Sequence, residues 1–184
     1  MKKIFYLLTV LTFSLVSCSG DDGPAGPAGP QGPAGLDGLI GTVFDVPVDF
    51  NANNDYSAVF TYSDYTDVEV FETDVVLVYL RVGQDGEADG APVYLWRLLP
   101  QTYYVDGGTM QYNYDYSYFD VNIFLDGDVD LATLGTAFLD NQMFRVAIVP
   151  ADFAQTTGVN VADYNAVMSA MKVDTKNIPE LQLK

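Results

Sequence analysis

Glycine recurs at every third position near the start of this chain, without interruption from Gly20 to Gly41. Four of these glycines, at positions 23, 26, 29 and 32, are followed by proline. Proline holds φ near its polyproline II value, and only glycine fits at the axis when three such chains wind together. The pattern therefore predicts an extended stalk, with no core of its own, over residues 18–41. Its central glycines are Gly23, Gly26, Gly29, Gly32, Gly35 and Gly38.

This repeat is collagen-like, and such strict spacing is required where chains form a triple helix. In flexible linkers, glycine and serine have no fixed period. The repeat therefore favours a homotrimer held on a membrane. Only four triplets carry proline after the glycine, so a monomer with an extended polyproline II stalk is the alternative.

Residues 1–17 have the layout of a signal peptide. Lys2 and Lys3 precede an apolar run over residues 4–16, and the small residue Ser17 follows. The run is shorter than the roughly 20 residues that a membrane-spanning helix needs. We therefore expect this segment to direct export and to be removed.

The only cysteine, Cys18, follows this segment directly. Leu15, Val16, Ser17 and Cys18 are similar to the bacterial lipobox, in which the cysteine receives acyl chains as the signal peptide is cleaved. The resemblance implies a protein attached to a membrane through acyl chains on Cys18, without spanning it. The alternative is a secreted protein with one free thiol.

Ser19, Asp21 and Asp22 come directly after the anchor. They resemble the short serine-plus-acidic signal that sends Bacteroidota lipoproteins to the outer face of the outer membrane. The resemblance implies a lipid-anchored outer-membrane protein that faces the cell exterior. Alternatively, the two aspartates only keep the tether hydrated.

Residues 42–184 predict a single, mainly β domain. Apolar residues alternate with polar ones in short runs between turn signals, which is typical of an antiparallel β-sandwich, here of about eight to nine strands. Pro47 confines the first strand to an edge or a bulge. Residues 75–82 are apolar on both faces and predict a central strand, followed by a polar loop over residues 83–90. A helical pattern at about residues 160–172, with Asn160 as N-cap, predicts one C-terminal helix that covers the sheet or its open end.

Gly107 and Gly108 lie between two strand-like runs, and a Gly-Gly pair supplies the positive φ that a tight hairpin turn needs. On the second run, Tyr112, Tyr114 and Tyr116 share one face. Such a row is a candidate surface for a glycan or protein ligand, because each ring offers apolar area and a hydroxyl. The alternative is that this face belongs to the core.

Charge and residue types exclude several functions. The formal net charge is −17, which disfavours nucleic acid as a partner. The chain has no histidine and no second cysteine, which excludes Ser-His-Asp and Cys-His catalysis and histidine-ligated zinc. Carboxylate pairs of the glycosidase type remain conceivable, but among 25 acidic residues such pairs arise by chance. We therefore predict a protein that is not an enzyme and has no cofactor.

Asp126, Asp128 and Asp130 are spaced like the first three ligands of a calcium-binding loop. Leu131 and Ala137 stand where that loop needs glycine and glutamate, so the match is incomplete. The alternative is a solvated turn after a strand.

Arg97 and Arg145 lie within apolar strand-like runs, and we expect each to pair with an aspartate on a neighbouring strand. These runs cover residues 96–101 and 144–150. Together with the lipobox-like segment, the triplets and the tyrosine-rich acidic domain, they resemble the small collagen-repeat surface lipoproteins of flavobacterial type. That group has no assigned activity, so the resemblance implies location and layout alone.

Two functions remain open. The chain is either a non-catalytic surface lipoprotein that displays a β-sandwich for adhesion or for glycan or protein binding, or an accessory lipoprotein that supports another envelope component. A carboxylate-dependent enzyme acting on glycans is a third alternative.

Overall fold

The computed structural model describes residues 41–65, 69–151, 153 and 158–183. The predicted signal peptide, the lipidation site and the stalk up to Ile40 lie outside these residues. The described part is mainly β and contains two four-stranded antiparallel sheets.

Sheet 1 has the strand order β1-β8-β3-β4, and sheet 2 has the order β2-β7-β6-β5. The strands of sheet 1 are β1 (Thr42–Val48), β3 (Val75–Ala88), β4 (Ala91–Leu98) and β8 (Gln142–Val149). Those of sheet 2 are β2 (Ser57–Thr61), β5 (Gln101–Val105), β6 (Gly108–Tyr116) and β7 (Asp120–Gly127). Among the described residues, the short helices α1 (Thr136–Leu139) and α2 (Tyr164–Ala170) lie outside the sheets, and single 3-10 turns lie at Ala52–Asn54, Tyr62–Asp64 and Leu131–Thr133.

The two sheets pack face to face around one hydrophobic core. Alternate residues of β1, β3 and β8 enter it from sheet 1, and alternate residues of β2, β6 and β7 enter it from sheet 2. Phe44 of β1 stacks on Phe60 of β2 with 4.8 Å between ring centroids, which joins the two sheets directly. The predicted antiparallel, mainly β architecture is confirmed.

The central part of sheet 1, β8 and the first half of β3, is buried on both faces. In β3, Val76 and Val78 enter the core between the sheets, whereas Leu77 and Tyr79 enter a second cluster on the opposite face. Helix α2 covers that cluster with Val167 and its neighbours Met168 and Met171. The predicted central position of residues 75–82 is therefore confirmed, and the helix lies on the sheet.

Helix α2 is shorter than the predicted segment of about residues 160–172. It begins after Asp163, whose carboxylate accepts a hydrogen bond from the Ala166 backbone N–H at 3.1 Å. Asn160 instead accepts from the Ala162 backbone N–H at 3.1 Å and closes a separate turn. Asp163 is thus the N-cap, and the prediction of Asn160 was wrong.

The predicted polar loop over residues 83–90 was also wrong. β3 continues through these residues to Ala88 and forms a long hairpin with β4, with register shifts between Arg81 and Gly83 and between Gln84 and Glu87. Only Asp89 and Gly90 make the turn, and both have positive φ, 54° and 75°. A two-residue Asp-Gly turn with this geometry matches the twist of paired strands, so the residues on both sides of it stay in the sheet.

The β5–β6 hairpin was predicted correctly, but its turn is shifted by one residue. Asp106 and Gly107 form the turn, with φ of 90° at Gly107, and Gly108 already pairs with Val105 inside the ladder.

The predicted edge position of Pro47 is confirmed, because β1 is the outermost strand of sheet 1. On its open side, the Asp45 N–H donates to Pro179 O at 2.9 Å, and the Leu181 N–H donates to Asp45 O at 2.8 Å.

Candidate functional site

The outer face of sheet 1 carries one transverse row of residues from four strands. Asp45 of β1 lies directly opposite Arg145 of β8, Arg145 lies opposite Tyr79 of β3, and Tyr79 lies opposite Leu98 of β4. Antiparallel pairing places the side chains of directly opposite residues about 5 Å apart on one face. Asp45 and Arg145 therefore meet because of the register of β1 and β8.

Arg145 is the central residue of this face and is only 4% exposed. Its Nε and Nη2 atoms donate to the two carboxylate oxygens of Asp45 at 2.7 and 2.8 Å, which is a bidentate ion pair. Its Nη1 donates to the hydroxyl oxygen of Tyr164, the first residue of α2. The expected pairing of Arg145 with an aspartate of a neighbouring strand is confirmed. Arg97 lies exposed on the edge strand β4.

Two aromatic rings enclose the guanidinium group. The Arg145 Cζ atom lies 4.0 Å from the ring centroid of Trp96 and 5.7 Å from that of Tyr164. The two rings are themselves nearly parallel, at 20° and 6.0 Å between centroids. A cation held against aromatic faces is stabilised by their negative quadrupole, which adds to the ion pair with Asp45.

Burial and nearby charge shift the pKa values of Arg145 and Tyr164 in opposite directions. Burial alone would lower the pKa of Arg145, but the hydrogen bonds and negative charge of Asp45 raise it above its usual value. Burial raises the pKa of Tyr164, although the nearby guanidinium opposes that shift. Arg145 is therefore charged and Tyr164 neutral at physiological pH. Since the Tyr164 oxygen accepts from Arg145, its own O–H is available to donate to another group.

A cleft of about 320 Å³ opens over this face, between β4, α2 and the segment around Lys176. Trp96, Tyr164, Arg145 and Asp45 form one part of its lining, and Tyr94 lies along β4 two residues before Trp96. The Arg81 guanidinium lies 4.7 Å from the Tyr94 ring centroid. At the rim, the ammonium of Lys176 pairs with Asp89 at 2.9 Å, and both are exposed. The cleft thus combines aromatic rings with fixed hydrogen-bonding groups.

Comparisons with protein-family models, curated proteins and solved structures give no match.

The predicted tyrosine row does share one face of β6, and that face is the inner one. Tyr112 is buried in the core and donates to Phe138 O at 2.8 Å. Tyr114 is half-buried and donates to Val76 O at 3.2 Å. Tyr116 is exposed at the end of the strand, with its ring 6.2 Å from that of Tyr114. The core alternative therefore holds for Tyr112, and the three rings do not form one open surface.

The three aspartates considered for calcium each bond to nearby backbone. Asp126 accepts from the Gly127 N–H, Asp130 accepts from the Ala132 N–H, and Asp128 accepts from both the N–H and the hydroxyl of Thr109. Those two hydrogen bonds lower the pKa of Asp128. Across residues 41–65, 69–151, 153 and 158–183, no group of three or more acidic side chains is arranged to hold a metal.

The remaining predicted site residues, Cys18, Ser19, Asp21, Asp22 and the stalk glycines, lie outside the described residues. Within the described part, no helix is both long and apolar enough to cross a bilayer.

Sequence reasoning missed the cleft because its lining comes from distant segments. For Arg145 the sequence predicted only a cross-strand aspartate, and for Trp96 and Asp45 it gave no indication of a binding site. One usable signal was a single charged residue in the middle of an apolar strand, as at Arg145. The position of α2, which brings Tyr164 to that charge, has no signature in the local pattern.

Proposed function

We propose that this protein is a non-catalytic lipoprotein, anchored in the outer membrane through Cys18 and facing the cell exterior, that binds a glycan in the cleft over Arg145. The observation that carries this proposal is the combination of Tyr94, Trp96 and Tyr164 with the fixed Arg145–Asp45 pair. The β-sandwich, held on the collagen-like stalk, displays the cleft for adhesion or glycan capture.

A sugar ring has apolar C–H faces and a rim of hydroxyl groups, and the cleft offers a partner for each. Tyr94 and Trp96 point to the same face of β4, about 7 Å apart along the strand, and provide flat apolar area. The O–H of Tyr164 and the remaining N–H groups of Arg145 can donate to hydroxyl oxygens. The Asp45 carboxylate has further lone pairs that can accept from hydroxyl hydrogens.

The same geometry supports binding without catalysis. Glycoside hydrolysis uses two carboxyl groups, one of which has to be protonated to act as an acid. Asp45 is the one carboxylate among the described residues that line the cleft. Both of its oxygens accept hydrogen bonds from Arg145, and no second carboxylate of this described lining lies opposite it.

Glycan-array screening of the full-length lipidated protein in detergent tests this proposal, followed by titration with the strongest ligand. Tyr94→Ala should weaken binding at least tenfold, because it removes an exposed ring from the cleft. Tyr104→Ala is the matched control, since Tyr104 is 89% exposed on β5 of the other sheet. Equal unfolding midpoints for the variants and the native protein establish that the fold is intact.

Binding that is unchanged in both Tyr94→Ala and Trp96→Ala would exclude the cleft as the site. A failure to bind any glycan, together with co-purification of an envelope protein in fixed stoichiometry, would favour the accessory role.

A further inference from the structure

The last glycine of the triplet run is packed tightly against the folded body. A Cβ atom on Gly41 would lie 2.5 Å from Ile148 O, 2.3 Å from the Met171 Cε and 3.3 Å from Pro150. The next residue, Thr42, already pairs with Ile148 in the β1–β8 ladder. No spacer therefore separates the final glycine of the repeat from the first strand of the sheet.

The β6–β7 turn lies at the same end of the body. Thr42 pairs with Ile148, and Ile148 pairs with Val76. Across the core, the Tyr114 hydroxyl donates to Val76 O, which places the end of β6 at this level. We call this end, with Gly41, Tyr116, Tyr118 and Phe119, the aromatic pole.

The rings of the pole are exposed although the turn that carries them is well ordered by hydrogen bonds. Tyr118 is 47% and Phe119 60% exposed, and their ring centroids lie 3.8 Å apart. The Ser117 hydroxyl donates to the Asp120 carboxylate at 2.8 Å and accepts from the Phe119 N–H at 3.0 Å. The Tyr62 N–H donates to Phe119 O at 2.9 Å and ties the turn to the chain after β2. Burying these rings in an interface would therefore cost little conformational entropy.

We propose that the aromatic pole is the surface through which three copies of this chain contact one another. A triple helix built from the triplet repeat needs three chains wound together, and in each chain the repeat joins the body at Gly41. Three copies joined in this way bring their poles close to one another. A chain with a net charge of −17 repels its own copies, so their contact requires uncharged surface. Tyr116, Tyr118 and Phe119 supply uncharged aromatic surface at the end where the copies meet.

The contact also compensates for the short proline-bearing part of the repeat. Four triplets with proline form a weakly cooperative helix, and association of the bodies raises the effective concentration of the three strands. Contact between the three bodies needs no ligand in the cleft, which lies on the outer face of sheet 1.

Sedimentation equilibrium of the full-length lipidated protein in density-matched detergent tests the proposal. The native chain should sediment as a trimer, and the double variant Tyr118→Ser, Phe119→Ser should dissociate at a concentration at least tenfold higher than the native chain does. Tyr104→Ser is the matched control, because it removes a more exposed tyrosine from β5, near the opposite end of the body. Its trimer should be unchanged.

A second measurement does not depend on the double variant folding well. Phe119→Cys introduces a thiol at the pole, and a short bifunctional thiol reagent should join copies of this variant covalently. Tyr104→Cys should give no such product under the same conditions. A native chain that sediments as a monomer or dimer would overturn the proposal, as would a trimer that is unaffected by the double variant and not crosslinked through Phe119→Cys.

Discussion

The ion pair between Asp45 and Arg145 links the strands, the helix and the cleft. Two charged side chains, 16% and 5% exposed, meet across the β1–β8 ladder and are satisfied by bidentate geometry. Such a pair adds little net stability over apolar residues of the same size, but a single partner left behind is costly. Its contribution is therefore best measured by removing one partner and then both.

We expect Arg145→Met to lower the free energy of unfolding by about 3 kcal/mol, because it leaves the Asp45 carboxylate unpaired against the sheet. The double variant Asp45→Asn, Arg145→Met should recover more than half of that loss, since the unpaired charge is gone. Urea unfolding of the four proteins of this cycle measures the coupling. A loss in the double variant equal to the sum of the two single losses would show that the pair itself has no energetic role.

For single residues, the sequence predicted part of the arrangement around Arg145. A charged residue within an apolar strand predicted a cross-strand partner for Arg145, because an unpaired buried charge is too costly. It did not identify Asp45 as that partner, since the choice depends on the register of strands 100 residues apart. The contacts with Trp96 and Tyr164 depend on the same long-range geometry.

The last residue of β7, Gly127, has to be a glycine because the backbone of β6 lies too close for a Cβ atom. A Cβ atom there would lie 2.3 Å from the Thr109 backbone oxygen and 3.1 Å from the Met110 Cα, both on β6. These are backbone atoms within a paired strand, so they cannot move aside without distorting the ladder. Gly135, before α1, has φ of −71° and no atom within 4 Å of a Cβ placed there.

Gly127→Ala should therefore lower the free energy of unfolding by about 2 kcal/mol, as is typical of overpacking. Gly135→Ala is the matched control and should leave stability unchanged or raise it by up to about 1 kcal/mol, through reduced freedom of the unfolded chain. Chemical denaturation of both variants provides the comparison. If the two substitutions have the same effect, the close contact at Gly127 does not limit packing.

Strands with an apolar face could be predicted well from the sequence, because alternation reports burial directly. The β3–β4 hairpin shows the limit of this reasoning. The residues of β3 beyond Gly83 are mostly polar and all exposed, so nothing in their pattern separates a strand from a loop. The Asp-Gly turn at residues 89 and 90 was the available local signal for a hairpin.

The two sheets differ in what covers their outer faces. Sheet 1 has α2 on its outer face, whereas on the outer face of sheet 2 polar side chains bond to one another. Gln111 donates to the Thr102 hydroxyl at 2.8 Å and accepts from the Asn113 amide at 3.2 Å. A face satisfied in this way stays compatible with water, so the tyrosines of β6 can occupy the inner face.

Three buried tyrosines, Tyr62, Tyr79 and Tyr112, predict a loss of stability at alkaline pH. Burial raises the pKa of Tyr62, Tyr79 and Tyr112 above the usual value. Above a pH of about 10 the unfolded chain loses these three protons while the native state keeps them, so stability falls as the pH rises. Each tyrosine contributes up to about 1.4 kcal/mol per pH unit once the unfolded chain is fully ionised. Between pH 10 and 11, where ionisation of the unfolded chain is still partial, the three together lower stability by about 3 kcal/mol.

Urea unfolding at pH 9, 10 and 11 measures this dependence, and Tyr79→Phe should reduce its slope by about a third. Tyrosinate absorbance of the native protein gives an independent test. If all tyrosines ionise together near pH 10 without unfolding, the burial argument fails.

The partners of β1 have a consequence for the timing of folding. Thr42 to Val48 pair with residues 142–148, and Asp45 also exchanges hydrogen bonds with Pro179 and Leu181. None of these partners is present while the first hundred residues leave a ribosome or a translocation pore. β1 therefore lacks its pairing partners until residues of the last quarter of the chain arrive. A chain that crosses a membrane from its amino end would in this way stay unfolded enough to pass through a narrow pore until its passage is nearly complete.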